Sequence, residues 1–175
     1  VAATVGPGLI GSLLVGSSYG RGIILALRKP FRGVHHLEAH LWSAEIEYGV
    51  LPLPFIVLLV SGGHTLIVLV KGLRSYEVLG TTLDDALGEA YDKVGKLFGL
   101  GFPAGAQVDR LAAEGHADTI PLAPPMMDES LNLSFSGLKT AVLYQVRDIA
   151  PDRLESRAPH ILAAADFAAG RGLRL

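Results

Sequence analysis

The sequence contains no cysteine, which excludes disulfide bonds, thiolate metal ligands and thiol catalysis. The absence also fits a reducing compartment. Charged residues are scarce as well, at 18% of 175 residues, and the 15 basic and 17 acidic side chains leave a formal charge of -2. A charge this small gives the whole chain no general attraction for nucleic acid. Any RNA contact must therefore use a local patch or a partner protein.

Hydrophobic residues make up 50% of the chain, and this share excludes intrinsic disorder. The apolar stretch over residues 51–70 has about the length of a membrane span. It is interrupted by a Ser-Gly-Gly-His-Thr segment, and each half is rich in Val, Ile and Leu. We interpret the stretch as two strands around a turn. We expect no membrane contact and a cytoplasmic location.

The pattern of the whole chain mixes strands with helices and predicts an α/β domain. Strands are predicted near residues 1–4, 33–34, 55–60, 65–70 and 76–79, and helices over 9–27, 37–48, 83–98, 106–113 and 136–149. Pro121, Pro124 and Pro125 predict an irregular loop. Beyond Arg153, residues 161–169 suit a helix, but the Gly- and Arg-rich end resembles no element end. We expect residues 154–175 to be an unpatterned tail, arising from a truncation or a reading-frame shift.

His36 and His40 are the first candidate functional residues. Four positions apart on a predicted helix, they lie on one face and are close enough to share a metal ion. Position 37 is Leu, so the zinc-protease signature H-E-x-x-H is absent. A pair of ordinary helix histidines remains the alternative interpretation.

The segment from Ser61 to Thr65 is the second candidate, because glycines let backbone N–H groups converge on an anion. The two hydroxyl groups would add donors. A hairpin turn without any further role is the alternative, since Gly-Gly pairs are common in such turns.

Carboxylates in the middle of the chain form a third candidate group. Asp84, Asp85 and Glu89 suit the start of a helix, where acidic side chains complement the helix dipole. Asp92 lies deeper in that predicted helix, where its carboxylate suits a ribose hydroxyl. Asp109 follows the Phe-Pro-Ala-Gly loop that opens the next helix, and free N–H groups there suit a polar ligand.

Taken in order, these segments resemble one family, the tRNA threonylcarbamoyladenosine transferases, once described as glycoproteases. The matching segments are residues 5–9 (VGPGL), 14–16 (LVG), 35–40 (HHLEAH), 59–65 (LVSGGHT), 82–86 (TLDDA), 88–94 (GEAYDKV) and 135–140 (FSGLKT). They cover the chain from its start to about Arg153. The sequence beyond that point does not follow the family, and Ala104 stands where the family usually has glycine.

The resemblance implies an α/β fold of the actin, sugar-kinase and heat-shock ATPase superfamily, with two lobes around a nucleotide cleft. This chain would hold the end of the first lobe and much of the second. Residues 1–34 are expected to be a remnant of the N-terminal lobe and residues 35–153 a metal- and nucleotide-binding core. The implied reaction transfers threonylcarbamoyl from threonylcarbamoyl-AMP to N6 of adenosine 37, in tRNAs reading codons that begin with A.

The resemblance also implies ligands for particular positions. One divalent metal ion, iron or zinc, would be bound by His36 and His40. The implied substrate contacts are Leu59, Val60, Ser61, Gly62, Gly63, Asp92, Gly105 and Asp109. The family's third metal ligand, an Asp, and an Asn substrate contact lie beyond this chain. We therefore expect weak metal binding and no activity from this polypeptide alone.

The implied partners are tRNA, an inactive paralogue and a small ATPase. A non-catalytic, nucleotide-binding partner of the same superfamily is the alternative function. A metalloprotease is disfavoured by Leu37.

Overall fold

A computed structural model of the chain describes residues 1–123, 130–147 and 149–173. It contains the predicted mixture of strands and helices. The strands are β1 (Ala2–Gly6), β2 (Arg32–His35), β3 (Phe55–Val60), β4 (Thr65–Gly72) and β5 (Ser75–Thr81). The helices are α1 (Ile10–Leu27), α2 (His36–Leu41), α3 (Glu45–Tyr48), α4 (Leu87–Leu97), α5 (Gly105–Ala112), α6 (Ser136–Arg147) and α7 (Pro151–Gly172), with a 3-10 turn at Ala117–Thr119.

The strands form two small sheets. β1 pairs with β2 in parallel, and the second sheet has the order β3-β4-β5. The residues group into two compact units by their contacts: Val1–Val57 with Val70–Tyr76, and Leu58–Leu69 with Glu77–Leu175. The domain boundaries at residues 34 and 153 stay predictions.

The first unit is built on β1, α1 and β2. α1 approaches the strands closely at Gly20, where an added Cβ would lie 3.2 Å from the Phe31 ring and 3.6 Å from Ala3 Cβ. Most of α1 is exposed. Among the described residues α1 alone is long and apolar enough to cross a membrane, with a mean hydropathy of 1.4 and 6% of its residues buried. Residues 51–70, considered above as a span, contain strands β3 and β4 instead.

The helix predicted over residues 37–48 is divided into α2 and α3. α2 ends at Leu41, and the Ser43 hydroxyl then donates to the His40 carbonyl at 2.8 Å. A side chain that bonds the backbone locally competes with helical pairing, which accounts for the break.

The second unit contains the main hydrophobic core. Helices α4, α5, α6 and α7 contribute apolar side chains to one cluster, which includes Val94, Val108, Phe135, Val142 and Ile161. Each of these five side chains is at most 1% exposed. Burying them from water stabilises this unit.

The predicted start of α4 is wrong by four residues. Leu83 to Ala86 precede the helix, and the Thr82 hydroxyl donates to Asp85 O at 2.6 Å within this segment. Asp84 accepts hydrogen bonds from the Phe135 and Ser136 amides at 2.8 and 3.1 Å. The Asp84 carboxylate therefore caps α6 rather than α4.

The expectation of an unpatterned tail after residue 153 is also wrong. α7 runs from Pro151 to Gly172 and buries Ile161 and Leu162 completely. The apolar face of the alanine-rich segment packs into the core, and this burial outweighs the local cost of Pro159 and the final glycines. Pro124, Pro125, Arg174 and Leu175, which belonged to the loop and tail predictions, lie outside the described residues.

Candidate functional site

The two predicted metal-ligating histidines lie side by side in the first unit. Their Nε2 atoms are 3.2 Å apart, and the rings meet edge to face with centroids 4.5 Å apart. α2 begins at His36, where His35 Nδ1 accepts a weak hydrogen bond from the Glu38 amide at 3.4 Å. The helical spacing of four residues thus places the two Nε2 atoms close to each other, as predicted.

This spacing fits a shared metal ion. Two nitrogen ligands about 2.0–2.1 Å from a tetrahedral zinc ion lie about 3.3 Å apart, close to the observed separation of 3.2 Å. The same separation suits a hydrogen bond between the rings when one Nε2 is protonated and the other is not. Within the described ranges, no group of three His, Asp or Glu side chains is arranged to hold a metal. His36 and His40 are therefore two candidate ligands, and the described residues supply no third one.

A cleft of about 420 Å³ in the first unit opens beside His36. Its other walls are Thr4 of β1, the Pro7-Gly8 turn and the first turns of α1. Gly6 and Gly8 have φ angles of 154° and 157°, so the turn that shapes this cleft favours glycine at both positions.

The glycine turn lies in the second unit against the N-terminal end of α4. The Ser61 amide donates to His64 O at 2.8 Å. In a second hydrogen bond the His64 amide donates to the Ser61 hydroxyl at 3.1 Å. A Cβ added at Gly88 would lie 2.7 Å from both Gly62 Cα and Ser61 O. The turn and the first residues of α4 are therefore in direct contact.

The hydroxyl groups of this segment are used inside the protein, contrary to the prediction that they add ligand donors. Thr65 is completely buried, and its hydroxyl accepts a hydrogen bond from the Leu87 amide at 2.9 Å. Gly62 and Gly63 are exposed, and an added Cβ at either would meet no atom within 4 Å. Leu59 is 5% exposed and Val60 46%, so main-chain atoms are the candidate contacts at Leu59.

Asp92 lies one helical turn after Gly88, on the same face of α4. Its Oδ1 accepts a hydrogen bond from the Ala104 amide at 2.7 Å, immediately before α5 begins at Gly105. Asp109 follows one turn further along α5 and is exposed. Three of the predicted substrate contacts thus lie on α4, at Asp92, and in the first turns of α5, at Gly105 and Asp109.

Ala104 has an ordinary helical conformation, with φ -94° and ψ -16°, so the backbone accepts its Cβ. Its methyl group packs against Gly95 of α4, where an added Cβ would lie 2.4 Å from it. The absence of a side chain at Gly95 makes room for this alanine.

Sequence reasoning missed a contact between α4 and α7. The Tyr91 hydroxyl donates a short hydrogen bond to Asp166 Oδ1. Burial, this hydrogen bond and the charges of Asp166 and Asp109 together raise the pKa of Tyr91. Asp109 and Asp166 also line a cleft of about 330 Å³ between α5 and α7. The sequence around Asp166 does not indicate this hydrogen bond, because its partner Tyr91 lies 75 residues earlier in the chain.

Asp85 and Glu89, two of the carboxylates near the start of α4, form ion pairs with Lys93. Lys93 Nζ lies 2.5 Å from Asp85 Oδ1 and 2.9 Å from Glu89 Oε1. The hydrogen bonds to Asp85 and then Glu89 raise the pKa of Lys93. Asp85 and Glu89 are therefore paired with a cation, whereas Asp92 is turned to the loop before α5.

A glycine-rich turn beside a helix N-terminus suits an anionic ligand, and α/β proteins that bind nucleotides place phosphates at such positions. The family model for TsaD, tRNA N6-adenosine threonylcarbamoyltransferase, matches residues 1–171. The chain belongs to this family. Membership implies the actin-like superfamily fold, with which the mixed helices and small sheets agree.

Individual relatives agree with the family model. The chain is 53% identical over 152 residues to a tRNA N6-adenosine threonylcarbamoyltransferase of Rhizobium etli, covering 86% of the chain and 41% of the relative. An enzyme of the same name from Thermosipho africanus is 51% identical over 155 residues, covering 88% of the chain and 47% of the relative. The chain therefore spans less than half the length of these curated relatives.

The extent of the family match corrects one expectation. Residues beyond Arg153 were expected to depart from the family, but the match continues to residue 171. This agrees with α7, whose buried face belongs to the same core as α4, α5 and α6.

Proposed function

We propose that the protein to which this chain belongs transfers threonylcarbamoyl from threonylcarbamoyl-AMP to N6 of adenosine 37, in tRNAs reading codons that begin with A. The observation that carries the proposal is the family match over residues 1–171. In this reaction N6 bonds to the carbamoyl carbon, and the bond from that carbon to the phosphate oxygen breaks. AMP leaves with the oxygen, and N6 loses a proton.

The glycine turn is proposed to bind the anionic part of the adenylate. Gly62 and Gly63 are exposed residues next to the positive end of α4, where main-chain amides favour negative charge. Leu59, Val60 and Ser61 complete the proposed contacts on this strand and turn. Because the Ser61 hydroxyl is bonded within the turn, its role is to hold the turn in shape.

Asp92, Gly105 and Asp109 are proposed to bind the nucleoside. Asp92 uses Oδ1 to hold the Ala104 amide, so Oδ2 is the atom proposed to accept from a ribose hydroxyl. Gly105 has room beside it, since an added Cβ would meet no atom within 4 Å. Positioning of the two substrates, more than a dedicated base, is proposed to carry the rate.

His36 and His40 are proposed to hold one iron or zinc ion, because their Nε2 separation fits two ligands of one ion. When bound, the ion supplies Lewis-acid chemistry that polarises the carbamoyl oxygen or holds oxygens of the adenylate. A carboxylate from outside the chain is proposed as the third ligand.

The wider setting is also proposed from the family. The chain is assigned to the end of the first lobe and much of the second lobe of an actin-like fold. The partners are tRNA, an inactive paralogue and a small ATPase, and the location is the cytoplasm. These assignments concern the whole protein, of which the chain spans less than half if its length matches that of its relatives.

The test uses the full-length protein with its partner proteins and unmodified tRNA. Threonylcarbamoyl transfer is measured by mass spectrometry of the digested tRNA, and bound metal by elemental analysis. The double variant His36→Ala, His40→Ala is expected to lose the metal and at least 100-fold in activity. The double variant lacks both proposed metal ligands, so it should lose the ion. Without the ion it also lacks the proposed Lewis acid, so it should lose activity.

The matched control is His116→Ala. It removes an imidazole but keeps the backbone amide that donates to His160 Nδ1 at 3.1 Å. The control is expected to keep metal and activity. Full activity in the double variant refutes the metal role, whereas a wild type that binds threonylcarbamoyl-AMP without transfer supports the non-catalytic alternative.

A further inference from the structure

The first 37 residues of the chain have an unusual charge distribution. They hold four of the 15 basic side chains and none of the 17 acidic ones. Arg21, Arg28, Lys29 and Arg32 are all exposed, and we call them the basic patch. The rest of the chain has more acidic than basic residues, so the patch is a local exception in a chain of formal charge -2.

The fold brings these four residues to one end of the first unit. The Arg21 guanidinium carbon lies 5.6 Å from the centroid of the Phe31 ring. Arg28 ends α1 in the left-handed conformation, with φ 50°, and the chain turns back at once. The Arg32 amide, at the start of β2, donates to Val1 O at 2.9 Å. The end of α1, the following loop and the start of β2 therefore carry all four basic residues, and all four are exposed.

His36 lies at the other end of β2. Four residues at about 3.3 Å each put the Cα atoms of Arg32 and His36 about 13 Å apart. α1 spans 18 residues, or about 27 Å at 1.5 Å per residue, and its first turns line the cleft beside His36. The basic patch is thus separated from the histidine pair by roughly the length of β2 on one side and of α1 on the other, about 13 Å and about 27 Å.

We propose that the basic patch binds the phosphate backbone of the RNA substrate and fixes its position while the reactive base enters the site. The proposal rests on tRNA being the substrate, as proposed above. A nucleic acid carries phosphate along its whole length, so contacts at such a distance from the target base are ordinary. Arginine binds phosphate in a bidentate manner, and three of the four residues are arginines.

The negative charge of the remaining chain favours RNA binding at the basic patch over binding at other surfaces. Acidic residues predominate beyond residue 37 and repel phosphate, which directs RNA towards the patch. RNA is favoured over an acidic protein because the planar guanidinium group matches phosphate geometry and because a nucleic acid offers phosphates at regular intervals. An acidic protein partner is kept as an outcome of the test.

The experiment compares two triple variants of the full-length protein. Arg28→Gln, Lys29→Gln, Arg32→Gln removes three charges from the patch, while Lys96→Gln, Arg153→Gln, Arg157→Gln removes three exposed charges elsewhere. Dissociation constants for unmodified tRNA are measured between 50 and 300 mM salt. The patch variant is expected to bind at least tenfold more weakly at low salt, and its salt slope is expected to fall by about 2, at about 0.7–0.9 per lost phosphate contact.

Transfer kinetics supply a second measurement. The patch variant is expected to raise KM for tRNA at least tenfold and leave kcat within twofold, while the control variant changes neither. Equal effects of the two variants on tRNA binding overturn the proposal. Unchanged tRNA binding together with lost binding of a protein partner also overturns it, and assigns the patch to an acidic protein. A wild-type protein that binds tRNA through the patch without transferring threonylcarbamoyl refutes the proposed function alone.

Discussion

Gly62 and Gly88 differ in what a methyl group would meet. At Gly62 the added Cβ points into open space, whereas at Gly88 it would lie 2.7 Å from Gly62 Cα and Ser61 O. Gly62→Ala is therefore expected to keep the fold but to hinder a ligand that approaches the turn. Gly88→Ala is expected to displace the turn and destabilise the second unit by about 1–3 kcal/mol, as overpacking does.

Urea unfolding and binding of threonylcarbamoyl-AMP to the full-length protein check both variants. Gly62→Ala is expected to weaken binding at least tenfold with unfolding unchanged. Ala106→Ser, an exposed position on α5, serves as the control for a small surface change. Undiminished binding by Gly62→Ala would contradict the role of the turn amides.

Asp84 gives the second unit a dependence on pH. Burial alone would raise its pKa, but hydrogen bonds from Ser134, Phe135 and Ser136 lower the pKa of Asp84 from 3.8 to about 2. Because the folded-state pKa is the lower one, the stabilisation is fully present above pH 3.8 and is lost as the pH falls towards 2. Asp84→Asn is expected to cost about 0.5–2 kcal/mol at pH 7, as for a lost helix cap.

The measurement is urea unfolding of wild type and Asp84→Asn at several values between pH 7 and pH 2.5. The difference in unfolding free energy is expected to shrink below about pH 4. Asp118→Asn, at an exposed carboxylate in the 3-10 turn, is the control. A difference that stays constant with pH would show that the Asp84 charge is not what stabilises the start of α6.

At the scale of elements, Gly95 of α4 packs against Ala104, which immediately precedes α5. Ala104 supplies a methyl group where Gly95 has none, and a Cβ on both would leave them 2.4 Å apart. Gly95→Ala is expected to destabilise by about 1–2 kcal/mol, since overpacking exceeds the gain in helix propensity. Adding Ala104→Gly to that variant is expected to restore most of the loss.

A double-mutant cycle by urea unfolding measures this coupling. Gly95→Ala, Ala104→Gly and the double variant are expected to give an interaction energy of at least about 1 kcal/mol. Gly99→Ala is unsuitable as a control because Gly99 has a φ of 68°. Ala106→Gly, at an exposed position in α5, is used instead, and additive effects within the cycle would contradict direct packing.

The elements that sequence patterns located correctly are those fixed by local signals. α1, β3, β4 and α5 lie within two residues of their predicted bounds. The start of α4 was wrong because Asp84 has the chemistry of a helix cap, but the helix it caps begins 52 residues later. Residues 161–169, which suit a helix by sequence, form the middle of α7, but the full extent of α7 was not predicted because Pro159 and the final glycines disfavour a helix locally and only burial in the core compensates.

The candidate site shows the same division between local and distant causes. The pairing of His36 with His40 follows from helical spacing, and the structure confirms it at 3.2 Å. The hydrogen bonds of Asp92 to Ala104 and of Tyr91 to Asp166 join different elements. Such contacts depend on how helices pack, which no spacing within one helix reveals.

At the scale of the whole molecule, α7 decides whether the second unit has a complete core. Ile161 and Leu162 are fully buried in the cluster that contains Val142 of α6 and Val94 of α4. Ending the chain after Ala150 removes both residues and the buried alanines of α7. The shortened chain is expected to lose cooperative unfolding, because the remaining helices would expose the apolar face that α7 covers.

A pair of point variants tests the same claim without shortening the chain. Ile161→Ala is expected to lower the free energy of unfolding by about 2–5 kcal/mol, the usual cost of a buried cavity. Phe167→Ala removes a larger side chain from the same helix, but Phe167 is 56% exposed, so a loss under about 1 kcal/mol is expected. Urea unfolding of both variants measures the contrast. Equal losses would mean that α7 does not pack by the face described, and that the family match beyond Arg153 has no counterpart in the core.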